Sequence, residues 1–299
     1  MKLKIDRMNL KLLCLFVFFG IFVVGCTKKA TTKNNNYISV SIEPQRFFAE
    51  KIVGDKFLVK SVVPAGSNPE SFDPAPSEMM ILGDSRAYFM IGLFGFEKVW
   101  KDNLSQSNPE MLLVDCSSSI QKDKSLMQSA EHAHEGHSHG TVDPHIWNSP
   151  KTALLVAQCI FEGVVKMDPV NKSYYEQNFS NLKNEISETD SIVRTILASA
   201  QKKTFIIYHP ALSYFADEYG LEQLSIEFNG KSPSPSQMTS LIREAKSKGI
   251  KTIFIQPEFD KKNAQVLARE IGGRVFEINP LAYEWKDEMI KIAKAIANQ

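Results

Sequence analysis

Past residue 36 the chain alternates between short runs rich in β-branched and aromatic residues and longer stretches with helical spacing. Residues 37–42, 57–63, 87–91 and 111–114 read as strands, each followed by polar or helix-compatible sequence. A second series comprises residues 204–208, 223–226, 252–256 and 275–278, with 233–248 and 261–271 as intervening helices. Strands alternating with helices imply a parallel sheet covered on both faces, and two series imply two lobes. Between them Tyr175, Phe179, Leu182, Ile186, Val193 and Ile196 recur at spacings of three, four and seven, and no Gly or Pro interrupts residues 173–200. This predicts one helix of up to about 28 residues, on the order of 40 Å long at 1.5 Å per residue. The expected fold is therefore α/β: two lobes, each a parallel sheet flanked by helices, at 37–172 and 201–299, joined by one long linking helix at 173–200. A strut of that length restricts hinge motion, so a cleft with limited closure is expected between the lobes.

The amino terminus breaks this pattern. Lys2, Lys4, Arg7 and Lys11 precede an apolar run from 12 to 24 that ends in Gly25-Cys26. About 13 apolar residues fall short of the roughly 20 that a membrane-spanning helix needs, so residues 1–25 read as a secretion signal. The sequence Val23-Val24-Gly25-Cys26 resembles a bacterial lipoprotein signal, which implies lipid on Cys26 and an extracytoplasmic chain anchored to the cell envelope. Residues 26–36, polar and without hydrophobic periodicity, read as a tether. Of the four cysteines, Cys116 and Cys159 remain for the folded part. They could pair in an oxidising compartment, but each sits in an apolar segment, and two buried thiols are expected ahead of one bridge.

Composition narrows the partners. With 43% hydrophobic and 23% charged residues the 299-residue chain is globular, and 35 basic against 34 acidic residues give a formal net charge of +1. No global field draws it to nucleic acid or to an anionic membrane surface, so no nucleic-acid partner is expected. A monomer is expected.

The histidines carry the candidate chemistry. His132, His134, His137 and His139, four of the six, fall within eight residues of the segment 128–140. Imidazoles alternating with small or acidic residues form a multidentate accessory chelator for borderline metals such as zinc. The other two stand in marked contexts, Asp143-Pro144-His145-Ile146-Trp147 and Ile207-Tyr208-His209-Pro210, the latter at the end of the first strand of the second lobe. Strand ends are where open α/β sheets build sites, and one such histidine per lobe points to a metal held between the lobes.

At these residues the chain resembles the metal-binding lipoproteins of ABC importers for zinc and manganese, over nearly all of residues 37–299. The run Pro64-Ala-Gly-Ser-Asn-Pro-Glu-Ser-Phe-Asp-Pro-Ala-Pro-Ser77 looks like the family's first ligand loop, Asp143-Pro-His-Ile-Trp-Asn-Ser-Pro150 like its second, and His209-Pro-Ala-Leu-Ser-Tyr-Phe-Ala216 like its third. Ser232-Pro-Ser-Pro-Ser236, Ile255-Gln-Pro-Glu-Phe259 and Asn279-Pro280-Leu281 are similar to later signatures. The resemblance implies two α/β lobes joined by one long helix, a receptor that passes its ion to an ABC importer permease, and a zinc-type member because of the His-rich segment.

Two positions depart from the family pattern: Glu70 stands where histidine is usual, and Asn279 where aspartate is frequent. The resemblance then implies a ligand set of Glu70, His145 and His209, with Asn279, Glu258, Glu227 or water in a fourth place. Zn2+ is the expected ion, since imidazole clusters favour zinc, while the oxygen of Glu70 keeps Mn2+ as the alternative. Three protein ligands plus water is also the formula of a catalytic zinc centre. No His-Glu-x-x-His motif appears, and the ligands come singly from separate loops, so no enzyme is expected. A surface adhesin or metal scavenger remains the other class of function. Neutral imidazole is the ligand, so binding should release protons and weaken below roughly pH 6.

Overall fold

A computed structural model describes residues 36–122, 142–228 and 230–298. The signal segment, Cys26 and the His132–His139 cluster lie outside the described residues. The first lobe runs β1 (Tyr37–Val40), α1 (Glu43–Val53), β2 (Leu58–Ser61), α2 (Pro76–Gly83), β3 (Ala87–Met90), α3 (Gly95–Ser107), β4 (Leu112–Asp115), α4 (Ser118–Lys122) and α5 (Pro150–Met167). A short 3-10 turn (Pro169–Asn171) leads into α6 (Lys172–Ala198). The second lobe follows as β5 (Thr204–Ile207), α7 (Ser213–Tyr219), β6 (Glu222–Ser225), α8 (Pro235–Lys248), β7 (Thr252–Ile255), α9 (Lys262–Ile271), β8 (Arg274–Glu277) and α10 (Trp285–Ala297).

Both sheets are parallel and four-stranded, ordered β2-β1-β3-β4 and β6-β5-β7-β8. Strand composition explains which strands are central and which are edges. YISV, AYFM and TIFI of β1, β3 and β7 are buried at every position, as central strands covered on both faces must be. LVKS, EQLS and RVFE of β2, β6 and β8 carry charges and sit at or beside the edges, where charge discourages further pairing. Alternation sorts the second sheet into two cores. Phe205, Ile207 and Phe254 face the large core that runs through both lobes, whereas Ile206, Ile253 and Ile255 face a smaller one closed by Ala245, Ala264 and Leu267 of α8 and α9.

The linking helix forms where its periodicity predicts. Tyr175, Phe179, Leu182, Ile186, Val193 and Leu197 are buried along one stripe, and Ile196 is half-buried. That stripe packs against α1 and α5 of the first lobe and against α10 at the carboxyl end. The start of α10 and the residues before it in turn reach the first lobe: Trp285 meets Phe48 edge-on at 5.4 Å, and Tyr283 meets Phe47 at 5.6 Å. The lobes therefore share one continuous apolar core instead of meeting at a flexible hinge.

Three polar contacts reinforce the junction. Trp147 Nε1 donates to Pro280 O at 2.7 Å, Trp285 Nε1 to Trp147 O at 2.8 Å, and Asn148 Nδ2 to Ala211 O at 2.8 Å. All three are buried, so breaking any of them strands a polar group away from water. Among the described residues no helix is long and apolar enough to cross a membrane.

Candidate metal centre

The carboxyl ends of the strands of both sheets supply the site. In the first lobe the chain leaves β2 through a proline-rich loop, in which Glu70 N donates to Asn68 Oδ1 at 2.9 Å. Phe72 anchors this loop by packing edge-on against Phe96 at 5.4 Å. Phe96 stacks on Phe94, Phe94 leans on Trp147 at 6.1 Å, and Trp147 lies 5.4 Å from the His145 ring. An aromatic chain thus ties the Glu70 loop to the His145 loop. The aromatic pair Phe94 and Phe96 is buried, as core residues should be.

His145 sits in a tight turn, with Ile146 N bonded to Pro144 O at 2.8 Å and Asn148 N to His145 O at 3.1 Å. The turn ends at α5, whose amino terminus is capped by Ser149 and begins with Pro150 at its first position. Asp143 then folds back on the histidine. Its Oδ1 accepts from His145 N at 2.9 Å and meets His145 Nδ1 at 2.7 Å. Tyr214 Oη, from the second lobe, donates to Asp143 O at 3.0 Å.

His209 follows β5 directly, at the switch point where β5 and β7 lead to opposite sides of the sheet. Gln256, at the matching end of β7, clamps its backbone, accepting from His209 N at 3.3 Å and donating to His209 O at 2.7 Å. Phe259 stacks on the imidazole at 5.4 Å between centroids. His209 Nδ1 meets Glu227 Oε1 at 3.1 Å.

These carboxylates determine which nitrogens face the cavity. A carboxylate only accepts, so in a neutral imidazole Nδ1 carries the proton and Nε2 keeps the lone pair that a metal needs. His145 Nε2 and His209 Nε2 stand 3.2 Å apart, and Glu70 lies 3.9 Å from the first and 3.6 Å from the second. Glu70, His145 and His209 form one group whose ligand atoms all lie within 4.8 Å of one another. Two lone pairs and an anion pointed at one spot repel unless a cation lies among them. The spacing suits one: with bonds of about 2.0–2.1 Å at a tetrahedral ion, neighbouring ligand atoms fall about 3.3 Å apart.

The adjoining cavity, lined by Pro69, Trp147, Gln256, Glu258, Phe259 and Leu281 among others, measures about 20 Å³. That is room for a water-sized occupant and no more. Both imidazoles are nearly buried, at 7% and 10% side-chain exposure, whereas Glu70 is 36% exposed and forms the outer wall.

Glu258 and Asn279 stand differently. Glu258 lines the cavity outside the three-residue group; its buried Oε1 has no hydrogen-bond partner, and burial pushes its carboxyl above the usual range. Asn279 Oδ1 accepts from Leu281 N at 3.1 Å, which ties it into its own loop. Glu227 serves the Nδ1 side of His209. Sequence reasoning assigned no role to Gln256, although it lies inside a motif read as a signature; its clamp on His209 depends on the pairing of β5 with β7.

A buried pair of imidazoles from opposite lobes, around space for a single ion, defines a two-lobe receptor for a cation. The comparisons agree. The description zinc-uptake complex component A, periplasmic (ZnuA), fits residues 38–298, so the chain belongs to that family. It is 30% identical over 294 residues to the high-affinity zinc uptake system protein ZnuA of Bacillus subtilis, covering 93% of this chain and 91% of the relative. A crystal structure of ZnuA superposes with a TM-score of 0.78 at 34% identity, over 87% of this chain and 97% of that one. A zinc-bound deletion mutant of ZnuA gives the same TM-score and identity, over 87% and 96%. The chain is accordingly the extracytoplasmic zinc-binding component of an uptake system and not an enzyme, and its family works with an ABC importer.

Proposed function

We propose that this chain captures one Zn2+ between its lobes through Glu70 Oε, His145 Nε2 and His209 Nε2, and surrenders it to the permease of an ABC importer. The observation that carries this reading is the pair of Nε2 atoms 3.2 Å apart, each turned inward by a carboxylate on the opposite ring nitrogen. Glu70, the exposed member, is where the ion enters and leaves. The fourth position falls to water or Glu258, because the side chains of Asn279 and Glu227 are engaged elsewhere. The zinc-bound ZnuA relative supports zinc as the cargo. A lipid on Cys26 holds the receptor at the membrane, and the His132–His139 segment acts as an accessory collector.

X-ray absorption at the zinc edge of the loaded protein tests the ligand set. Two imidazoles and one or two oxygens at about 2.0–2.2 Å are expected. Sulfur in the coordination sphere, or four imidazoles, contradicts it. Deletion of the gene separates import from adhesion: loss of growth on chelated medium supports import, whereas normal growth with lost surface binding supports an adhesin.

A further inference from the structure

Two thiols play no part in the zinc site. Cys116 is buried, Cys159 is half-buried, and both are free. Cys116 follows β4 and is fixed there by its backbone N, which donates to Met90 O at 3.0 Å. Cys159 lies on α5, which packs on β4. The reason for the close packing is Gly163: a Cβ there would stand 2.5 Å from Phe89 Cε1 and 3.2 Å from Val114 Cγ2. From Gly163 back to Cys159 is one helical turn, about 6 Å. From Val114 on to Cys116 is two strand residues, about 6.6 Å. Helix and strand thus advance together, and the face of α5 that sets Gly163 on Val114 sets Cys159 beside Cys116. Burial first, and the adjacent Cys159 thiol second, hold the Cys116 thiol well above its ordinary range.

We propose that Cys116 and Cys159 close into a disulfide in the oxidising extracytoplasmic space, stapling α5 to the end of β4. The reaction takes a low-molecular-weight disulfide or a disulfide-carrying oxidoreductase as oxidant. Cys159, the more accessible thiol, loses its proton and attacks one oxidant sulfur, releasing the other as a thiol. Cys116 then gives up its proton and attacks Cys159 Sγ, releasing the second. Two protein S–H bonds and one oxidant S–S bond break; one protein S–S bond and two oxidant S–H bonds form, and two electrons pass to the oxidant. The closed ring spans residues 117–158, so both ends of the segment that carries Asp143 and His145 become pinned to one point of the first lobe. The inference rests on the compartment of the family and not on the zinc ligands, and its test reads thiols rather than metal.

The purified protein is equilibrated with oxidised glutathione, alkylated under denaturing conditions, and analysed by intact mass and peptide mapping. The expected product has lost two hydrogens, joins the Cys116 and Cys159 peptides, and reverts with dithiothreitol. Its melting temperature is higher by about 5–10 °C than that of the reduced form. Cys116→Ala should accumulate a glutathione adduct on Cys159, and Cys159→Ala should leave Cys116 unmodified. Wild-type protein that keeps both thiols, or that stops at an adduct on Cys159, overturns the proposal, as does a closed form that melts no higher than the reduced one. The wild-type measurement decides even where a variant does not fold.

Discussion

Replacing Asp143 by alanine tests whether the carboxylates behind the imidazoles set the zinc affinity. Asp143 is 1% exposed and touches His145 twice, at N (2.9 Å) and at Nδ1 (2.7 Å). The alanine variant frees the ring to rotate and to carry its proton on either nitrogen. Loss of such an outer partner typically costs 10- to 100-fold in metal affinity, which is about 1.4–2.7 kcal/mol. It also strands the His145 N–H, for about 1–3 kcal/mol of fold stability. The two effects separate in one experiment: zinc affinity by competition with a chromogenic chelator, and melting of the metal-free protein. Glu227→Ala makes the matching change at His209, where one contact of 3.1 Å is involved, so a loss nearer tenfold is expected. Wild-type affinity in a folded Asp143→Ala protein would show that His145 needs no fixed tautomer to bind.

Three further outcomes follow from the fold. Trp147→Phe removes the bond to Pro280 O across the lobe junction and leaves a buried carbonyl unpaired, so urea denaturation should show a loss of about 1–3 kcal/mol; unchanged stability would mean that the junction is held by apolar packing alone. Because α6, α10 and the Trp147 contacts join the lobes in one core, zinc should leave the radius of gyration in solution scattering essentially unchanged, and a marked contraction would contradict this. Burial pushes the Glu97 carboxyl up to about 7, against the lowering effect of Ser41 and of the N–H groups of Phe94, Gly92 and Ile91. The folded state therefore holds this proton more tightly than the unfolded chain, so the contribution favours folding at low pH and is lost as pH rises from about 4.5 to 7. Glu97→Gln should flatten that stretch of the melting-temperature profile, and an unaltered slope would count against it.

The sheets were legible because β-branched runs alternate with helical ones, and the charged runs turn out to be the edge strands, but the strand order was not legible. The 173–200 helix was legible from its stripe, and the structure ends it at Ala198. What that stripe would face was not legible. An amphipathic pattern names the buried side but not the partner, so nothing in residues 285–297 foretold that Trp285 would cross to Phe48. The three residues of the candidate site lie 75 and 64 positions apart; the contexts of the two histidines, one per lobe, linked His145 with His209, and only the family motif added Glu70. Asp143, two residues from His145, could be suspected of orienting it. Glu227 could not be assigned so directly, because its place beside His209 comes from the parallel register that pairs Ile207 with Ser225 and carries on two residues further.

Competitive titration asks whether one zinc ion is held between His145 and His209. Soluble protein from Thr27 onward is titrated with zinc against a chromogenic chelator, with manganese, copper and nickel as comparisons, and the titration is repeated with His145→Ala and with His209→Ala. One tight zinc equivalent is expected, which both substitutions abolish while the proteins stay folded. A tight equivalent that survives both would move the metal to the His132–His139 segment and contradict the inter-lobe site.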